Sequence, residues 1–95
     1  MTKSELIEVL ARKQPQLAYR DIELAVKTIL EYMSASLSSG ERIEVRGFGT
    51  FSLRKRNSRV GRNPKTGEEV PIKPRRVLVF RASQVLKKRI NKNEV

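Results

Sequence analysis

The chain has 95 residues, enough for one small domain, and carries 21 Lys+Arg against 10 Asp+Glu for a formal net charge of +11. It contains no Cys and no His, which excludes disulfides, Cys/His zinc sites and Cys- or His-based catalytic dyads. No apolar run approaches the ~20 residues of a membrane-spanning helix, and the charged opening does not read as a secretion signal, so a cytoplasmic location is expected.

In chain order, a first helix is predicted over residues 2–13. Thr2 can cap it, with Glu5 three residues on completing a capping box. Leu6, Ile7 and Leu10 form its short apolar face, and Pro15 lies in the link that ends it. A longer helix is predicted from about residue 19 to residue 38. Ile22, Ala25, Val26, Ile29, Leu30, Met33 and Leu37 recur at helical spacing. Asp21 and Glu23 sit where the helix dipole favours them, and Gly40 follows the end.

The period then changes. Residues 42–46, Arg-Ile-Glu-Val-Arg, alternate strictly, as a half-buried strand does. Gly47-Phe48-Gly49 reads as a bend, after which residues 50–53 resume the alternation. From 54 to 73 the apolar side chains shrink to Val60, Val70 and Ile72. That segment reads as a polar hairpin arm around a turn at residues 63–67, and from Arg54 to Pro64 it would extend about 30 Å. Val77, Leu78, Val79 and Phe80 predict a buried strand. A last helix from about residue 83 presents Val85, Leu86, Arg89 and Ile90.

The implied fold is α+β: two N-terminal helices, a three-stranded antiparallel sheet with a long β-ribbon arm, and a C-terminal helix. A single domain over residues 1–95 is expected, with a body at 1–53 and 74–95 and the arm at 54–73. So small a body is marginal. The stripe on the second helix exceeds what one short helix and three strands can cover, which points to an obligate dimer.

Charge divides the chain in two. Residues 1–53 hold seven basic and seven acidic residues, so the whole excess of +11 lies in residues 54–95. Release of condensed counterions from a polyanion is the force such a surface exploits.

Two motifs carry a resemblance. Gly47-Phe48-Gly49-Thr50-Phe51 and Gly61-Arg62-Asn63-Pro64-Lys65-Thr66-Gly67, spaced in this way after two helices, resemble the bacterial HU/integration host factor family of DNA-bending proteins. The resemblance covers essentially the whole chain, and the family is itself a standing example of minor-groove binding by β-strands and apolar wedges. It implies an intertwined dimer whose two β arms embrace double-stranded DNA, acting in nucleoid organisation, transcription regulation and recombination. No cofactor and no enzymatic activity are implied. The partner is the integration host factor α subunit or a second copy of the chain, and the location is the bacterial nucleoid.

By the same resemblance Pro64 is the wedge between base pairs. Arg62 and Asn63 flank it, within reach of the adenine N3 and thymine O2 acceptors. Arg54 and Arg56 share a strand face at period two, as do Lys73 and Arg75, while Arg59, Lys65 and Arg76 extend the basic track. Glu44 and Arg46 project together beside the arm. On an ordinary strand they would be a solvent-side ion pair of little energetic weight. In β-type chains of the family the matching positions lie against DNA, which implies that Arg46 enters the minor groove and Glu44 holds it. Helix N-termini at Lys3 and at Ser83-Gln84 are candidate phosphate sites. Most members carry Gly-Lys or Gly-Gln at the latter, and the exit at residues 70–77 looks more α-like, whereas the opening residues look β-like.

Two other readings have different signatures. An HU-like homodimer would bend many sequences equally, and Glu44 with Arg46 speaks for the more selective branch. An RNA-binding protein would need stacking platforms, yet none of the five aromatics (Tyr19, Tyr32, Phe48, Phe51, Phe80) lies on the arm.

Overall fold

Helix α1 (Lys3–Lys13) begins where a side chain supplies a missing acceptor: Thr2 Oγ1 accepts the Glu5 N–H at 3.1 Å. The helix ends at Gln14 (φ −127°), because the following Pro15 disfavours helical geometry for its predecessor. The Gln14 N–H still bonds the Leu10 carbonyl (2.9 Å), and the Leu17 N–H closes a turn on the Gln14 carbonyl (3.0 Å). Helix α2 (Tyr19–Ser38) follows, with the bounds its periodicity predicts.

The computed structural model describes residues 1–92; residues 93–95, the end of the expected body, lie outside the described residues. The described chain forms two compact units, one over residues 1–36 and one from residue 37 onward. In the first, Ile7, Ile22 and Val26 are the buried core, with Leu10 and Ala11 packed against them. Of the predicted stripe on α2, only Ile22 and Val26 are buried. Ala25, Ile29 and Leu30 face solvent in the single chain.

The second unit holds a sheet of β1 (Ile43–Val45), β2 (Gly49–Arg56) and β5 (Arg75–Ala82), in the order β1-β2-β5 and antiparallel throughout. β3 (Arg59–Arg62) and β4 (Glu69–Ile72) form a separate two-stranded ribbon, and α3 (Gln84–Lys92) closes the described chain. The ladder of β2 and β5 continues through Arg54, Lys55 and Arg56, so the expected single hairpin from residue 54 is instead two pieces. The loss of apolar side chains marks where the core ends, not where backbone pairing ends. Pairing lapses at residues 57–58 and 73–74, where Pro74 has no N–H to donate and constrains Lys73. Pro71 is tolerated within β4 because both ribbon strands are edges.

The predicted buried strand is buried on neither face. Val77 and Val79 are half-buried, while Leu78 and Phe80 remain 56% and 41% exposed. Phe80 stands opposite Phe51, ring centroids 4.8 Å apart, and also meets Phe48 at 5.4 Å. The reason is the strand period: Leu78 and Phe80 belong with Phe51 and Leu53 to one sheet face, which the lone chain leaves open.

Candidate nucleic-acid interface

Strand register sorts the cations. Side chains directly opposite across a ladder share a face, so Glu44, Thr50 and Arg81 form one row, followed by Ser52 with Val79, Arg54 with Val77, and Arg56 with Arg75. This sheet face gathers Arg54, Arg56 and Arg75, whereas Lys73, expected to share a face with Arg75, lies in the break outside both ladders. Arg81 joins them and was not anticipated, although the period-two series Arg75, Val77, Val79, Arg81 signals it. Lys55 and Arg76 pair on the opposite face.

Arg76 therefore leaves the basic track assigned to it. Neighbours in a strand cannot share a face, and its Nη1 donates to the Ser38 carbonyl at the C-terminus of α2 (3.2 Å). A cation there complements the helix dipole.

Glu44 and Arg46 are also arranged differently. Arg46 lies in the turn after β1, closed by the Phe48 N–H to Val45 carbonyl bond of 2.9 Å. The Glu44 carboxylate is instead engaged by Arg42, whose Nη2 donates to Oε2 at 2.7 Å, the one ion pair among the described residues. Positions 42 and 44 are two apart on an extended chain, which brings their side chains to the same side. Arg46 has already turned away.

The ribbon pairs Arg59 with Ile72, Val60 with Pro71, Gly61 with Val70, and Arg62 with Glu69. Ile72 lies across Gly61: a Cβ there would sit 2.8 Å from Ile72 Cδ1, so glycine lets the side chain seal the ribbon. Arg59 and Arg62 project from opposite ribbon faces.

At the tip, Asn63 organises the turn. Its Oδ1 accepts the Lys65 N–H (2.9 Å) and its carbonyl accepts the Gly67 N–H (2.7 Å); its own N–H bonds the Glu68 carbonyl (2.8 Å). Thr66 Oγ1 accepts the Glu68 N–H at 3.3 Å. Gly67 takes φ +73°, which reverses the chain without strain. Pro64 stands exposed at the apex beside exposed Lys65. The Asn63 amide NH2 remains a donor, the polarity that minor-groove acceptors require.

The helix N-termini are partly occupied. Thr2 uses the Glu5 N–H, leaving those of Lys3 and Ser4 without intrahelical partners. Ser83 caps α3: its Oγ accepts the Leu86 N–H (3.0 Å), and its own N–H bonds the Phe48 carbonyl (2.9 Å). Gln84 and Val85 N–H groups open the helix. Ser83 thus organises this terminus through a capping bond that glycine could not make. Along α3, Lys87, Lys88 and Lys92 are exposed cations that were not singled out, and Arg89, expected on this helix, is exposed with them; the charge count already placed all four in the basic half.

A cationic sheet face that continues into a narrow ribbon with an apolar apex defines a β-ribbon nucleic-acid binder. Residues 1–91 match the family described as bacterial DNA-binding protein, and the chain belongs to that family. It is 60% identical over 91 residues to the integration host factor subunit beta of Hahella chejuensis, covering 96% of this chain and 93% of that one. It is 59% identical to the same subunit of Thioalkalivibrio sulfidiphilus, covering 96% and 95%. Among solved structures, an Anabaena HU–DNA cocrystal structure superposes with a TM-score of 0.84 at 32% identity, covering 95% of this chain and 97% of that one. No helix among the described residues is long and apolar enough to cross a membrane.

Proposed function

We propose that this chain is one subunit of a dimeric architectural protein that grips duplex DNA through the minor groove and kinks it by inserting Pro64 between base pairs. It is a DNA-binding and DNA-bending protein of the bacterial chromosome, not an enzyme, as its family and relatives are. The tip carries the reading. The N–H groups of Asn63, Lys65, Gly67 and Glu68 are all bonded within the loop, and Pro64 has none. Burying such an apex between bases leaves few polar groups unsatisfied. Unstacking costs a few kcal/mol, offset by the contacts that bent DNA permits.

Around the wedge, Arg62 and the Asn63 amide reach groove acceptors. Arg54, Arg56, Arg59, Arg75 and Lys73 meet phosphates, with Lys65 at the apex. Arg46 enters the groove from the turn beyond β1, while Glu44 is held by Arg42 and shapes that edge. Lys3 and the Ser83-Gln84 terminus hold phosphates on the body. Relatives named integration host factor subunit beta make an α subunit the preferred partner over a second copy.

The test is Pro64→Ala in a FRET bend assay at saturating protein. The bend angle should fall more than the affinity. An unchanged bend angle removes the wedge.

A further inference from the structure

Residues 57–58, where pairing lapses between sheet and ribbon, are an Asn-Ser step. An asparagine side chain is open to attack by the backbone nitrogen of the residue that follows it. The attack needs a following N–H, freedom of that N–H from a hydrogen bond, and stabilisation of the anion that forms. The described chain has Asn at 57, 63 and 91. Asn63 precedes Pro64, which has no N–H, and its Oδ1 is engaged by the Lys65 N–H at 2.9 Å. Asn91 lies in the last turn of α3, where the Lys92 N–H belongs to the helical ladder. Asn57 differs on each count. The Ser58 N–H lies outside both ladders and makes none of the loop bonds of the described backbone. Both residues are exposed, so solvent base reaches the N–H.

The fold supplies the stabilisation. Asn57 lines a cleft of about 420 Å³ together with Arg56, Arg59, Lys73 and Arg75, and no carboxylate lines it. None of these cations forms an ion pair among the described residues, where the single pair is Arg42 with Glu44. Lys73 and Arg75 are remote from Asn57 in sequence. They reach it only because Arg56 stands opposite Arg75 and Arg59 opposite Ile72. The attacking nitrogen is anionic, the tetrahedral intermediate carries an oxyanion, and the product is a carboxylate. Fixed cations favour each of these over the neutral amide.

We propose that Asn57 is a self-modifying site, at which the chain converts its own side-chain amide into a carboxylate. Solvent base takes the Ser58 N–H proton, and the nitrogen attacks Asn57 Cγ. The bond from Cγ to the side-chain NH2 breaks, and that group leaves as ammonia with a proton from water. A cyclic imide remains, with the Ser58 nitrogen bonded to both Asn57 carbonyl carbons. Water opens it at either one. Opening at Cγ gives aspartate; opening at the backbone carbonyl gives isoaspartate, with the chain routed through the side chain. Overall one water enters, one ammonium ion leaves and no electrons are transferred. The formal charge falls from +11 to 11 − 1 = +10. The new carboxylate stands among cations that the function proposed above assigns to phosphates, so the modification weakens the grip on DNA. That consequence alone rests on the proposed function.

The test incubates the full-length protein at mildly alkaline pH. Residue 57 is followed by peptide-mapping mass spectrometry and by labelling of isoaspartyl groups with an isoaspartyl methyltransferase. Conversion is expected at Asn57 ahead of Asn63 and Asn91, at a rate first order in hydroxide. Ser58→Pro removes the nucleophile and should stop it. Lys73→Gln/Arg75→Gln should slow it about tenfold, about threefold for each charge at roughly 6 Å in water. Lys87→Gln/Lys88→Gln makes the same change in net charge on α3 and should leave the rate alone. In the wild type, about 1 M sodium chloride should slow conversion by screening the same cations. Conversion no faster at Asn57 than at Asn63 and Asn91 overturns the site. So does a rate equal in the two double variants, or one indifferent to salt. In a second arm, Asn57→Asp is compared with wild type on duplex DNA across salt, and a slope reduced by about one is expected. An unchanged slope overturns the weakened grip, while the mass measurement decides the modification by itself, so the two fail separately.

Discussion

Arg75 and Arg76 are neighbours with the same side chain, yet the register gives them opposite roles. Arg75 shares the polar sheet face with Arg54 and Arg56, whereas Arg76 faces the other way and donates to the Ser38 carbonyl at 3.2 Å. Arg75→Gln should remove one phosphate contact and lower the magnitude of the log K versus log salt slope by about 0.9. A fourfold rise in salt, from about 50 to about 200 mM, then shrinks the wild-type advantage about 3.5-fold. Its thermal stability should hold or rise slightly, since the opposed Arg56 loses a like-charged neighbour. Arg76→Gln should leave the slope unchanged. It forfeits a charge-assisted bond at a helix C-terminus worth about 0.5–1 kcal/mol, which is about 2–8 °C in Tm for a domain of this size. Fluorescence anisotropy on a labelled duplex over a salt series, with thermal melts at one fixed protomer concentration, reads both. Equal loss of slope in the two variants refutes the sorting of these cations by sheet face.

Other substitutions test the supporting structure. Gly49→Ala places a Cβ about 2.5 Å from the Arg81 carbonyl oxygen and from the Phe80 ring, so a loss of about 1–3 kcal/mol or more is expected. Adding Phe80→Leu should recover only part of it, since the backbone oxygen stays; full recovery in a denaturant melt contradicts the stated clash. Ser83→Ala removes the α3 cap and should cost about 1 kcal/mol, with Ser83→Thr close to wild type; equal melts for all three proteins argue against the cap. Glu69 stands opposite Arg62 in the ribbon, and Glu69→Gln should tighten duplex binding about twofold, the scale of one exposed charge pair. Weaker binding would show that Glu69 organises the ribbon rather than opposing phosphates.

What sequence reveals follows from the range of the forces. The helices were legible because capping and periodicity act within a turn: the Thr2 cap, Pro15 and the Ile22-to-Leu37 periodicity locate α1 and α2 almost to the residue. The tip was legible for the same reason, since Asn63, Thr66 and Gly67 bond only to near neighbours. The end of the sheet was not. Whether Arg54, Lys55 and Arg56 pair with a strand about twenty residues away depends on where Pro74 breaks that partner, and composition carries no such information. Arg76 was misplaced because a count of basic residues ignores the face each occupies. Glu44 found Arg42 rather than Arg46 because the turn begins one residue before the alternation stops.

Exposed apolar surface occurs in both halves, on α2 in the charge-neutral half and on β5 in the cationic half, and this bears on assembly. Among the described residues, three buried apolar side chains are a thin core, while Leu24, Ile29, Tyr32, Leu78 and Phe80 remain open to solvent. Exposed apolar groups on this scale mark a surface that association covers. Yet each chain carries +11, and two such chains repel. The repulsion is limited because α2 and β1 lie in the charge-neutral half, leaving the excess cations to the end of β2, the ribbon, β5 and α3. Association of two chains brings two sets of cations into one assembly, and a polyanion that binds both relieves their repulsion. Ligand binding and subunit association are linked through the same charges. Whatever binds the assembly but not the separated chains must stabilise the assembly.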